Sequence, residues 1–293
     1  MGFLKVLVCL LCFVIGRAAY AQMGGGISPP DPYIVSDNFS GISCKKTSGL
    51  SLRSQTIDPA KKTLLLFTGG QSLLTTVVPT LITPTNSLVV DQFNLYDGAI
   101  YNINGCILGN TWSQPNAGNV MVRIADTLVT NGKFDRVIII DTNIGSTTAA
   151  MWASTGIHGN RFKVALARLA ARGITSATTG VTMAAIFADG NDDLGLGTSQ
   201  SAFAASVTDW INTTQAGGFS GRIFIPLESG SGQTSNAIRS AQASLWNGTT
   251  IFSGGDFDSS TIATSDGVHP SDAGAVTMAN IAIAAMATSG APF

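Results

Sequence analysis

The hydrophobic pattern of this chain changes period several times. Short apolar runs at residues 64–67, 88–90, 136–141, 181–188 and 222–226 are rich in Leu, Ile and Val and too short for helices of their own. They predict strands buried on both faces. Between them the apolar positions take helical spacing. At residues 118–129 they are Val120, Val122, Ile124 and Leu128, ended by Asn131-Gly132. Similar patterns cover 161–172, 199–213, 234–246 and an alanine-rich 272–287, the last opened by Pro270-Ser271. Residues 91–117, rich in Asn, Gly, Tyr and Trp, predict a long loop across the top of the sheet. Strands alternating with helices predict an α/β fold, three layers α/β/α around a central parallel sheet.

Composition narrows the class. Residues 1–21 carry Lys5, an apolar stretch at 6–15 and Ala19-Tyr20-Ala21, the pattern of a cleaved signal peptide whose apolar part is too short for a stable bilayer anchor. We expect a secreted or periplasmic protein with no membrane anchor after cleavage. A flexible Gly- and Pro-rich leader follows at 22–36, and 37–293 forms a single domain. Only 11% of residues are charged and the net charge is −1, which gives no electrostatic footprint for nucleic acid or an anionic membrane. Cys9 and Cys12 leave with the signal peptide; Cys44 and Cys106 remain, as a disulfide in an oxidising compartment or as two buried thiols. Two histidines and two cysteines without ligand spacing make no zinc site, and no glycine-rich phosphate or dinucleotide loop occurs, so no metal and no cofactor are expected.

The candidate chemistry begins where the first apolar run ends, in Gly69-Gly70-Gln71-Ser72. A parallel strand leaving the sheet through glycines places Ser72 where open α/β sheets bind ligands, beyond the strand's carboxyl end. The same serine also suits a helix N-cap. Near the other end of the chain stands Asp266-Gly267-Val268-His269. On a tight loop this spacing lets the carboxylate accept a hydrogen bond from imidazole Nδ1–H, leaving Nε2 to take a serine hydroxyl proton. His158, in a loop before a helix, has no such neighbour. The strand ends after residues 67, 140 and 188 all carry Gly with Ser, Asn or Thr.

In this order, Gly-Gln-Ser, Gly145-Ser146-Thr147, Gly190-Asn191-Asp192 and Asp-x-x-His, the chain resembles the SGNH (GDSL-type) hydrolase superfamily, nearest to the sialate O-acetylesterase-like carbohydrate acetylesterases. The resemblance spans most of residues 60–290 and implies the flavodoxin-like SGNH hydrolase fold. It makes Ser72 the nucleophile, His269 the general base and Asp266 its orienting partner. It implies an oxyanion hole from the backbone N–H groups of Ser72 and Gly145 and the side-chain amide of Asn191. The sequence departs from the pattern twice. Leu73 follows the nucleophile where Asn is usual, and a strict register puts Asp189 where the relatives carry the Gln donor. An ionised carboxylate cannot donate, so Asn191 is the chosen donor. Gln71 beside the nucleophile, with Trp112 and Trp152 on upper loops, are candidate substrate contacts, because aromatic faces stack on sugar rings. Trp210, mid-helix, is expected in the core.

Asp189, Asn191 and Asp193 alternate as in a calcium loop, but Leu194 replaces the turn glycine and Gln200 the bidentate Glu. The resemblance implies hydrolysis of O-acetyl or other short acyl esters, with acetylated carbohydrates or other small esters as the partners. Two alternatives stay open: a catalytically decayed carbohydrate-binding or envelope-associated protein on the same fold, and a lipid or aryl esterase using the apolar stretch from Leu73 to Leu81.

Overall fold

A computed structural model describes residues 44–110, 117–230 and 232–293. The expected signal peptide, the leader and Trp112 lie outside the described residues. Among the described residues seven strands form one sheet: β1 (Thr63–Gly70), β2 (Val90–Phe93), β3 (Ile100–Asn102), β4 (Arg136–Asp141), β5 (Val181–Ala188), β6 (Arg222–Leu227) and β7 (Ile251–Asp256). Their spatial order is β3-β2-β4-β1-β5-β6-β7, parallel except for the antiparallel edge pair β2–β3. The helices are α1 (Val120–Thr130), α2 (Ala149–Trp152), α3 (Arg161–Ala171), α4 (Asn191–Leu196), α5 (Gln200–Ala216), α6 (Ala237–Ser244) and α7 (Asp272–Thr288).

The central strand explains the layering. Every residue of β1 is buried, and its side chains alternate between two cores. Leu64 and Leu66 pack with Val120, Ile124 and Leu128 of α1 and with Ala275, Met278 and Ala282 of α7. Leu65 and Phe67 face the other layer, with Trp152, Phe162, Leu169 and Trp210 of α2, α3 and α5. Burying each such side chain contributes about 1.5–3 kcal/mol. Small alanines on α7 let it lie close against α1. Trp210 sits in the core as expected, stacked on Phe187 at 4.1 Å between ring centres. This is the three-layer α/β architecture that both the alternating pattern and the resemblance implied.

The structure differs from the expectation at the edges. The second strand runs from Val90 to Phe93, not 88–90, and Leu88 is exposed. The segment expected as one long loop also contains β3, and β7 was not foreseen. With two glycines and half-buried side chains in Ile251–Asp256, that edge strand lacks the continuous apolar run that marks the inner ones.

Crossovers run from β1 toward β2 on one side and from β4 back past β1 to β5 on the other. The sheet therefore changes winding direction beside β1, which is where doubly wound sheets open a crevice. Cys44 and Cys106 are joined in a disulfide across 62 residues of sequence, and Cys44 also exchanges backbone hydrogen bonds with Gly109 and Asn110. Closing a loop of this length should contribute about 4 kcal/mol. Reductant should lower the thermal midpoint of the wild type and leave a Cys44→Ala/Cys106→Ala variant unmoved. A wild-type melting curve insensitive to reductant contradicts this.

Candidate active site

The turn that carries Ser72 is set by a close backbone approach. Gly70 has φ +107°, and a Cβ there would stand 1.9 Å from the carbonyl oxygen of Ala188, so only glycine fits. The N–H of Gln71 donates to that same oxygen at 2.8 Å. The chain then turns through a single 3₁₀ turn, Ser72–Leu74, closed by the N–H and hydroxyl of Thr75 donating to the carbonyl of Ser72 at 2.9 and 2.7 Å. Ser72 opens this turn without capping it. Its Oγ lies 2.9 Å from Nε2 of His269, 197 residues further along the chain.

The histidine comes from the loop before α7. Gly267, at φ +88°, lets the loop fold back so that Asp266 Oδ1 accepts from the N–H groups of Val268 and His269 at 3.0 and 2.7 Å. Its Oδ2 stands 2.7 Å from His269 Nδ1. Ser271 caps α7 on the N–H of Gly274, and Asp272 accepts from the N–H and hydroxyl of Thr80, pinning the helix start to the segment beyond the nucleophile turn. Burial alone would raise the Asp266 carboxyl. The hydrogen bonds from the His269 ring and from the N–H groups of His269 and Val268 outweigh it and hold the group at about 2. An ionised carboxylate at Nδ1 makes that nitrogen the donor, so Nε2 presents its lone pair to the Ser72 hydroxyl. The arrangement can draw the proton from Ser72 as Oγ attacks an electrophilic carbon.

The loop after β4 lies alongside. Ile144 N–H donates to the carbonyl of Gly70 at 3.0 Å, which brings Gly145 next to the nucleophile turn. Ser146 follows at φ +56°, the only non-glycine with positive φ among the described residues. Asn191 opens α4, half-buried; its N–H faces the carboxyl of Glu228 and its side chain lies against Gly230.

Two expected substrate contacts are corrected. Trp152 is fully buried, its Nε1–H donating to Thr147 Oγ1 at 3.0 Å, so its face is not available to a sugar. Gln71 is 1% exposed and its amide donates to Glu228 Oε1 at 2.8 Å, away from solvent. The calcium arrangement does not form. Asp189 turns to Thr147, Asp193 accepts from the N–H of Ala149, and among the described residues no group of three His, Cys, Asp or Glu could hold a metal.

Sequence reading missed the groups that support the turn from below. Asp141, at the end of β4, is buried and accepts from Thr68 Oγ1, from the N–H and amide of Asn143, and from the amides of Asn119 and Asn110. The amides of Asn143 and Asn119 also donate to the carbonyl of Leu74. Complete burial pushes Asp141 up to about 7, against these hydrogen bonds and the charge of Arg161. Asp189 is pushed well up by burial and by its neighbours Asp193, Glu228 and Asp192. Its side chain accepts from the hydroxyl of Thr147, in the loop that carries Gly145. The only sequence signal for this layer was the Asn- and Thr-rich strand ends.

No family model and no curated protein matches the chain. Solved structures do. A protein of Arabidopsis thaliana, 13% identical, superposes over 78% of this chain and 98% of its own with a TM-score of 0.57. NanS, 10% identical, does so over 78% and 98% with the same score of 0.57. A member of the lipolytic G-D-S-L family from Veillonella parvula is 12% identical over 76% and 98%, at 0.42. The first two establish the fold, and the chemistry rests on the residues above.

The buried acids give a pH dependence. Asp141, Asp189 and Glu228 hold their protons to higher pH in the folded chain than in the unfolded one. The folded state then binds more protons above the ordinary carboxylate range, so stability falls as pH rises from about 4 through 7. Asp266 acts oppositely, its contribution being lost only as pH falls from about 4 toward 2. The thermal midpoint should be higher at pH 5 than at pH 8, with a loss on the order of a few kcal/mol for a fully buried acid. A midpoint that rises between those pH values contradicts this.

Proposed function

We propose that this chain is a secreted serine esterase of the SGNH type that removes acetyl or other short acyl groups, with O-acetylated carbohydrate as the substrate class. One observation carries the reading: the unbroken line from Asp266 Oδ2 to His269 Nδ1 at 2.7 Å and from His269 Nε2 to Ser72 Oγ at 2.9 Å. In this reading Ser72 attacks the ester carbonyl and His269 takes its proton, later giving it to the departing sugar hydroxyl. A water deprotonated by His269 then releases acetate from the acyl-enzyme. The N–H groups of Ser72 and Gly145, with Asn191, are the proposed donors to the oxyanion; losing one such donor typically costs about 10²–10³ in rate.

Short acyl groups are favoured over lipids because Leu73, Leu74, Val77 and Val78, the apolar residues beside Ser72, are all buried in the protein's own core. The signal-peptide pattern at residues 1–21 supports export, and the mature N-terminus should be Gln22.

The test is hydrolysis of p-nitrophenyl esters of rising chain length, and release of acetate from O-acetylated sugars, by the mature protein. Acetate esters should be the best substrates. Ser72→Ala should lose at least about 10³ in kcat. Asp266→Asn should lose about 10² or more, with the thermal midpoint little changed because the side chain is half exposed. Rates that climb with chain length would point to a lipid esterase. A folded wild type as inert as Ser72→Ala would leave the carbohydrate-binding reading in its place.

A further inference from the structure

Glu228 stands at the carboxyl end of β6, 157 residues from Gln71, and the two meet beneath the nucleophile turn. Gln71 Nε2 donates to Glu228 Oε1 at 2.8 Å, and both residues are 1% exposed. The backbones of both are held. The amide of Gln242 brackets the backbone of Glu228, Oε1 accepting from its N–H at 2.9 Å and Nε2 donating to its carbonyl at 2.6 Å, and Nε2 donates also to the carbonyl of Asp189. Gln71 is held by its own N–H on Ala188.

Two buried atoms of this pair have no hydrogen-bond partner among the described residues, Gln71 Oε1 and Glu228 Oε2. A proton on Glu228 Oε2 would supply the donor this pair lacks, and Gln71 Oε1 is an acceptor still without one. A carboxylate offers no donor and leaves both unsatisfied, at about 1–3 kcal/mol or more for each such buried group. A carboxylic acid facing a primary amide is complementary in both directions: amide N–H to acid C=O, and acid O–H to amide C=O.

We propose that Glu228 works as a protonated carboxylic acid that closes a two-bond ring with the amide of Gln71 and thereby positions Ser72 for the esterase reaction proposed above. The surroundings agree. The charged groups facing Glu228 are the acids Asp258, Asp192 and Asp189, while the nearby Arg239 is engaged by Asp256 and Asp258 at 2.9 Å. The N–H of Asn191 favours the charged form, but burial first, and then Asp258, push Glu228 well above the ordinary carboxylate range. Because Gln71 and Ser72 share a peptide bond, the ring fixes the direction of the Ser72 N–H and of its Cβ–Oγ bond toward His269. A nucleophile displaced by about 1 Å loses about 10² in rate. Glu228 is thus a positioning residue, one that touches neither substrate nor reacting atoms.

The test uses the mature full-length protein and the variants Glu228→Gln, Glu228→Ala and Gln71→Ala. Glutamine keeps the size, the neutrality, the donor and the acceptor, so Glu228→Gln should hold kcat on p-nitrophenyl acetate within about threefold. Glu228→Ala and Gln71→Ala should each lose about 10² in kcat with KM nearly unchanged. The double variant should be no worse than either, because the two residues act as one unit. Infrared difference spectra, wild type minus Glu228→Gln at pH 7, should show the carbonyl band of a protonated carboxyl group. A carboxylate band there instead, or a Glu228→Gln protein as slow as Glu228→Ala, overturns the proposal. The infrared result does not depend on turnover. A wild type without esterase activity would sink the positioning role together with the proposed function, while the acid–amide ring would still stand or fall on its spectrum.

Discussion

The nucleophile turn is suspended from the buried carboxyl of Asp141. Its two oxygens take five hydrogen bonds from four places in the chain: β1 through Thr68, the loop before α1 through Asn110, the cap of α1 through Asn119, and the loop after β4 through Asn143. Two of those asparagines reach on to the carbonyl of Leu74, in the turn itself. Buried polar groups are tolerated only when they satisfy one another, and a half-satisfied set is costly. The same set of bonds therefore fixes where the ends of β1 and β4 and the start of α1 stand. The close contact of Gly70 on Ala188 and the pairing of Gln71 with Glu228 extend that constraint across to β5 and β6.

The two halves of the site are built by opposite means. The serine half is buried, gripped from below by amides and by acids whose carboxyl groups burial pushes well above the ordinary range. The histidine half is a partly exposed loop, where Asp266 is 54% exposed and stays ionised because three donors surround it. In the proposed reaction a rigid nucleophile and a wetter base fit the demand that the base move a proton from serine to leaving group and later from water. They also divide the expected response to mutation. Changes beneath Ser72 reach the reaction through geometry, changes at Asp266 through the tautomer and charge of His269.

Much of this was legible in the sequence, for physical reasons. The inner strands announce themselves because a parallel sheet covered on both faces needs continuous apolar runs, as at Leu64–Phe67 and residues 137–140. Ser72, Asp266 and His269 were visible because short local spacing sets their geometry: glycines before the serine, and a three-residue step between acid and base. Trp152 and Gln71 were misread because loop position alone does not say which way a side chain turns. Both turn inward, to Thr147 and to Glu228. The edge strand Ile251–Asp256 escaped notice because an edge needs little hydrophobicity. Glu228 and Asp141 were hidden because a buried acid is defined by partners 157 and up to 73 residues away, which no local pattern records.

The measurement that bears most directly on the central claim is covalent labelling of the mature protein with a serine-reactive fluorophosphonate, followed by mass mapping of the adduct. A nucleophile activated by His269 should give one adduct, on Ser72, with labelling abolished in His269→Ala. Absence of an adduct on Ser72 in the folded wild type, or labelling that persists unchanged without His269, would contradict the account.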